Sequence, residues 1–110
     1  MTNVLRKSPD AIILCGGKGK RLRPITDDIP KPLVKINKNP ILYYVISHLS
    51  KFNIKKIHIA SGYKSAMIET YISKISMDTE ISICDSGDVD IISRIQDILL
   101  RVKNDVIILY

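Results

Sequence analysis

Residues 11–32 read AIILCGGKGKRLRPITDDIPKP. Five apolar residues run into glycines, then into closely spaced cations, then into Lys31 between two prolines. The apolar run reads as a short strand buried on both faces. Glycine loses more conformational freedom on folding than any other residue, and neighbouring cations repel. An anion from outside the chain is the simplest partner that completes such a stretch.

The rest of the chain alternates around this strand. After 11–15, residues 40–52 (PILYYVISHLSKF) carry Leu42, Val45, Ile46 and Leu49 at helical spacing. Residues 55–61 read as a second strand. Residues 63–75 read as a helix with Ala66, Met67, Tyr71, Ile72 and Ile75 on its buried side. Residues 80–86 form a third strand, 89–102 a third helix striped by Ile91, Ile95, Ile98, Leu99 and Val102, and 105–110 a fourth strand. The β–loop–α–β–α–β–α–β order predicts an α/β fold, a three-layer Rossmann-like parallel sheet with helices on both faces, for which the strand order 3-2-1-4 is taken. In that order Cys15 and Cys84 lie two strands apart, roughly 9–10 Å, beyond disulfide reach. Both are expected as free thiols with no metal or redox spacing.

The chain has 110 residues, 45% apolar and 25% charged, the size and balance of one small globular domain. Its net charge is +6. Lys18, Lys20, Arg21, Arg23, Lys31 and Lys35 crowd one window against only Asp27 and Asp28. A nucleic-acid surface would spread such charge along a face and add aromatics for stacking; a cluster on a glycine loop suits a small polyanion. No run reaches the ~18 apolar residues of a membrane span, and residues 1–10 lack the apolar segment of a secretory leader. A cytoplasmic location follows by default. His48 and His58 have no metal-spaced partner, and the sequence offers no Ser–His–Asp or Cys–His arrangement.

In parallel α/β sheets ligands bind beyond the carboxyl ends of the strands, where strand order reverses. The loop Gly16–Gly19 sits there if the first strand is central. Its glycines allow backbone N–H groups to approach phosphate oxygens. The spacing is not that of a Walker loop, and Leu22 replaces the third glycine of a dinucleotide fingerprint. Arg21 offers a planar fork for two phosphate oxygens. Pro30 and Pro32 are expected to hold the Lys31 backbone extended and so aim its ammonium.

AIILCGGKGKRLRPITDDIPKPLVKI, followed by NPILYYVISHLSKFNIKKIHIASGY, closely resembles the N-terminal half of the sugar-phosphate nucleotidyltransferases. These enzymes condense a nucleoside triphosphate with a sugar 1-phosphate, giving a nucleotide-sugar and pyrophosphate. The resemblance implies that Gly16, Gly17 and Gly19 cradle the triphosphate, that Arg21 holds the leaving pyrophosphate, and that Lys31 steadies the transferred phosphoryl group. Leu14 and Cys15 would lie beside the nucleobase. Lys20 stands where the family usually has Thr or Ser; it either adds a phosphate contact or is solvated.

The stretch ICDSGDVDIISRI (83–95) lacks the glycine-rich turn many members have there. It is closer to the glucose-1-phosphate cytidylyltransferase branch, with Asp85, Ser86 and Gly87 as nucleotide-side counterparts and Arg94 as a substrate-binding one. That tilts the base toward cytosine. The same residues also read as a plain turn with Asp85 or Asp88 near a helix N-terminus. In the family the fourth strand runs into an Asp that binds Mg²⁺. Residues 1–110 are thus expected to be the nucleotide-binding half of a nucleotidyltransferase domain, ending before that Asp. Mg²⁺ belongs to the full enzyme, with no ligand in these residues. The fourth strand is left as an open apolar edge suited to pairing with a second copy. Two alternatives stay open: a non-catalytic nucleotide-binding or interaction module, and a cytidylyltransferase acting on a non-sugar phosphate such as phosphocholine.

Overall fold

The structure, a computed structural model, describes residues 8–109. Residues 1–7, most of the stretch read as lacking a leader, and Tyr110, the end of the expected fourth strand, lie outside the described residues.

The chain runs β1 (Asp10–Cys15), a four-residue helix α1 (Ile25–Asp28), the short strands β2 (Lys35–Ile36) and β3 (Asn39–Pro40), helix α2 (Ile41–Lys51), β4 (Lys56–Ser61), α3 (Ser65–Lys74), β5 (Glu80–Asp85), α4 (Ile91–Leu99) and β6 (Val106–Leu109). The four long strands form one parallel sheet in the order β5-β4-β1-β6. Counted along the chain, that is the expected third, second, first and fourth. Ile13 pairs with Ile59, which pairs with Ile83, so side chains of like facing form rows across the sheet.

Each face of the sheet carries its own core. Ala11, Ile13, Ile57 and Ile59 meet Leu42, Ile46 and Leu49 of α2 and Ile68 of α3. Ile12, Ala60 and Cys84 on the other face meet Ile98 of α4. The central strand β1 is therefore covered on both sides, which is why it reads as an almost unbroken apolar run. Full burial of one such Ile or Leu is worth about 1.5–3 kcal/mol. Cys15 faces the first core and Cys84 the second, and both are free thiols.

Local chemistry sets the helix ends. Pro40, at φ −60° and ψ 153°, leads into α2, and Asn53, at φ 62°, stops it in the left-handed conformation Asn tolerates. Asp90 caps α4 by accepting the Ser93 N–H at 2.7 Å. The capping carboxylate is thus Asp90, neither Asp85 nor Asp88.

Three details correct the sequence reading. In α3, Ile68 takes the buried position while Ala66 and Met67 are exposed; a 3.6-residue period through 68, 72 and 75 turns 66 to the far side. In α4, Ile91 and Leu99 are largely exposed and Arg94 is buried on the core side. Lys31 is not extended: it opens a 3₁₀ turn, Lys31–Leu33, closed by Leu33 N–H to Pro30 O at 2.9 Å and Val34 N–H to Lys31 O at 3.0 Å. Pro32 fits inside because the turn asks no N–H of it, and burial of Leu33 anchors it.

Among the described residues β6 is an edge strand, and its Ile107 and Ile108 are 41% and 46% exposed. No helix among the described residues is long and apolar enough to cross a membrane.

Candidate functional site

The loop after β1 leaves the carboxyl end of a central strand. The chain passes from β1 to β4 and β5 on one side, then crosses back to β6 on the other. The loop therefore sits at the reversal point of the sheet, where α/β folds bind ligands.

Two short hydrogen bonds shape it. Thr26, 1% exposed, donates its hydroxyl to the Gly19 carbonyl at 2.6 Å, and its own carbonyl accepts the Tyr63 hydroxyl at 2.6 Å. The Tyr63 N–H also reaches Gly16 O at 3.3 Å, which ties the loop after β4 to the loop after β1. Gly19 is held at φ 61°, and a Cβ there would lie 2.9 Å from Thr26 Cγ2 and 3.2 Å from Lys31 Cβ. Its bare backbone lets the Lys31 turn pack against the loop.

Gly16 needs its missing side chain for another reason. A Cβ on it would fall 2.4 Å from Arg94 Nε and Cζ. The guanidinium lies beneath three loop ends, against Gly16 after β1, Gly62 after β4, and Gly87 after β5, whose carbonyl accepts from Nη2 at 3.3 Å. Among the described residues Arg94 Nε is fully buried with no acceptor. By contrast, a Cβ on Gly17 would meet nothing within 4 Å. Packing does not require glycine there.

A cavity of about 300 Å³ gathers Leu14, Cys15, Gly16, Gly17, Gly19, Lys31 and Arg94, with apolar walls from Ile13, Pro32, Ile41, Val45 and Ile91. An open groove beside it brings Lys18 and Lys20 to Gly16, Gly17, Arg94 and the acidic turn Asp88–Asp90. Of the residues singled out in the sequence, Arg21, Asp85 and Gly87 line neither space. Arg21 is exposed in the 3₁₀ turn Lys20–Leu22. Asp85 turns its carboxylate back to accept the Gly87 N–H at 2.9 Å, an Asx turn. Burial pushes the Cys15 thiol up to about 12, which removes it as a nucleophile. The Ser93 backbone N–H holds the Asp90 carboxyl below its ordinary range.

Gly62 and Tyr63 lie outside the glycine-loop pattern that the sequence marks. The partners of Tyr63, Thr26 and Gly16, lie 37 and 47 residues away in the chain, so no local motif marks it. The sequence reading also missed an Asp–His–Ser line. His58 Nε2 donates to Asp10 Oδ2 at 2.8 Å, and Nδ1 meets Ser82 Oγ at 3.0 Å. Parallel register produces it: His58 sits between Ile12 and Ser82, and Asp10 shares the Ile12 face. It starts from the first residue of β1, the strand end opposite the glycine loop, so it is no part of this site.

Among the described residues no three His, Cys, Asp or Glu side chains converge on a metal position.

The family model for nucleotidyl transferases matches residues 10–103. The D-glycero-alpha-D-manno-heptose 1-phosphate guanylyltransferase of Aneurinibacillus thermoaerophilus is 47% identical over 62 residues, 56% of this chain and 27% of that protein. The crystal structure of HddC from Yersinia pseudotuberculosis complexed with GMP-PN superposes with a TM-score of 0.77 at 25% identity, covering 92% of this chain and 47% of that one. The CTP:phosphocholine cytidylyltransferase LicC from Streptococcus pneumoniae gives a TM-score of 0.69 at 28% identity over 92% of this chain and 44% of its own. This chain thus spans about a quarter of the first relative and less than half of either solved structure. With its sheet order, its loop at the reversal point and a family match over most of its length, the chain belongs to the nucleotidyl transferase family.

Proposed function

We propose that residues 1–110 form the triphosphate-binding part of an enzyme that transfers a nucleoside monophosphate from a nucleoside triphosphate to a sugar 1-phosphate. The observation that carries this reading is the loop Gly16–Gly19 at the reversal point, locked from below by Thr26 and flanked by Lys31. In the reaction a phosphate oxygen of the sugar 1-phosphate attacks the α-phosphorus. The bond from that phosphorus to the bridging oxygen breaks, and pyrophosphate leaves with the electron pair. Such transfer depends on positioning and charge neutralisation and needs no protein nucleophile.

The roles divide by place. Backbone N–H groups of Gly16, Gly17 and Gly19 hold phosphate oxygens, and open space at Gly17 admits them closely. Lys31, in the cavity wall, meets the transferred phosphoryl group; Lys20, in the groove, meets an outer phosphate. Exposed Arg21 closes on the leaving pyrophosphate. Leu14 and Cys15 line the base side. Asp85 and Gly87 act through the turn that places the Gly87 carbonyl on Arg94. Mg²⁺, when bound in the complete enzyme, would neutralise phosphate charge, with ligands outside the described residues. Two unpaired buried thiols suit a reducing compartment, which supports the cytoplasm. The free β6 edge is where we place contact with a second copy, tested by light scattering across concentrations.

A second reading is a module that binds nucleotide without turning it over. One experiment separates the two. The protein is mixed with each nucleoside triphosphate, Mg²⁺, and sugar 1-phosphates or phosphocholine, and both binding and pyrophosphate release are followed. Release with a sugar 1-phosphate supports the transferase, and release with phosphocholine moves the acceptor. On residues 1–110 binding alone fits both readings; in a protein that also carries the Mg²⁺ ligands binding alone supports the module, and absence of both rejects the loop assignment.

A further inference from the structure

We infer that Arg94 selects the nucleobase, favouring one that presents two adjacent acceptors: cytosine through O2 and N3, or guanine through O6 and N7. This rests on the triphosphate reading of the glycine loop and extends it to the base.

Arg94 is 7% exposed, yet among the described residues its guanidinium has one protein acceptor, the Gly87 carbonyl, at a long 3.3 Å. Nε is fully buried and unpaired. Buried donors of a charged group are nearly always satisfied, and an acceptor on a ligand in the adjoining cavity would complete this one. Gly16 and Gly62 press on this one group where a side chain would displace it, and Gly87 meets it through its carbonyl.

Position decides what the ligand atom belongs to. The loop already carries exposed Lys18, Lys20 and Arg21 for phosphates. Arg94 lies behind Gly16, shared between the basic groove and the cavity walled by Leu14, Pro32, Val45 and Ile91. A flat apolar body attached to a triphosphate, with acceptors along one edge, fits that combination. Arginine's fork matches paired acceptors, as at guanine O6 and N7. Uracil and thymine place an N–H between their carbonyls, and adenine sets its amino donor beside N1 and N7, so each offers the fork a donor where it needs an acceptor.

The test is equilibrium binding of CTP, GTP, UTP, dTTP, ATP and inorganic tripolyphosphate to the full chain and to Arg94→Lys, which keeps the charge and loses the fork. CTP or GTP is expected to bind at least about tenfold more tightly than the other nucleotides, and Arg94→Lys to bring the ratio close to one. On the unsubstituted chain, 3-deaza-CTP or 7-deaza-GTP, each missing one acceptor, should lose about the same factor; this arm stands even if the variant does not fold. Equal binding of all five nucleotides, a preference that survives in Arg94→Lys, or full affinity for the deaza analogues overturns the assignment. Tripolyphosphate binding without base preference defeats it alone. No binding of any triphosphate defeats the loop reading and this inference with it.

Discussion

The hydroxyl of Thr26 donates to the carbonyl of Gly19 across 2.6 Å, and this bond holds a left-handed glycine in the loop after β1. The two flanking glycines should therefore respond differently. Gly19→Ala forces a Cβ at positive φ and against Thr26, and should lose about 1–2 kcal/mol from the backbone alone. Gly17→Ala meets nothing and should leave stability within about 1 kcal/mol of the parent while weakening triphosphate binding. Urea unfolding and nucleotide titration on the same two variants separate fold from ligand. Equal destabilisation by both would contradict the loop geometry.

Lys31→Ala isolates charge from packing, because its side chain is exposed while Leu33 anchors its turn. A charge-assisted hydrogen bond is worth about 1.5–3 kcal/mol, so triphosphate affinity should fall about tenfold or more with little change in the urea midpoint. Unchanged affinity would remove Lys31 from the site.

Acid stability should report on Asp10. Burial pushes this carboxyl up, but hydrogen bonds from His58 and Asn104 outweigh it and hold the group below its ordinary 3.8. A depressed folded value means the unfolded chain binds the proton more readily. The contribution is thus complete above 3.8 and disappears as pH falls through the lower folded value. Asp10→Asn should lower stability at neutral pH by about 1–3 kcal/mol and flatten the acid limb of a stability–pH curve. An unchanged acid limb would show that the hydrogen bonds do not bias Asp10 protonation.

Thiol chemistry checks the sheet order. Cys15 and Cys84 are buried on opposite faces. Under denaturing, non-reducing conditions both should label with a thiol reagent. In the native protein at pH 8, Cys15, with its thiol pushed up to about 12, should label far more slowly than in denaturant. A failure of either to label after denaturation would point to a disulfide that this sheet forbids.

Much of this was legible in the sequence because it is local. The strand–glycine boundary at Cys15–Gly16 and the alternation of strands and helices follow from periodicity. What escaped depends on distant register or on a turn's third dimension. The Lys31 turn looked extended because prolines on both sides favour that backbone; burial of Leu33 decided otherwise. Arg94 was singled out, but nothing in its helix said it would be buried. Only the meeting of Gly16, Gly62 and Gly87 shows that. The Asp10–His58–Ser82 line needs the strand register and is invisible in spacing.

The most direct test of the central claim is the melting temperature of the 110-residue chain titrated with inorganic tripolyphosphate and with CTP or GTP. A ligand bound only by the folded state at 100 times its dissociation constant adds about 2.7 kcal/mol, a rise of roughly 10 °C or more for a domain of this size. The account predicts that rise for the nucleotide, a smaller one for tripolyphosphate, and its loss in Gly17→Ala. A flat melting temperature with every triphosphate at millimolar concentration would contradict it.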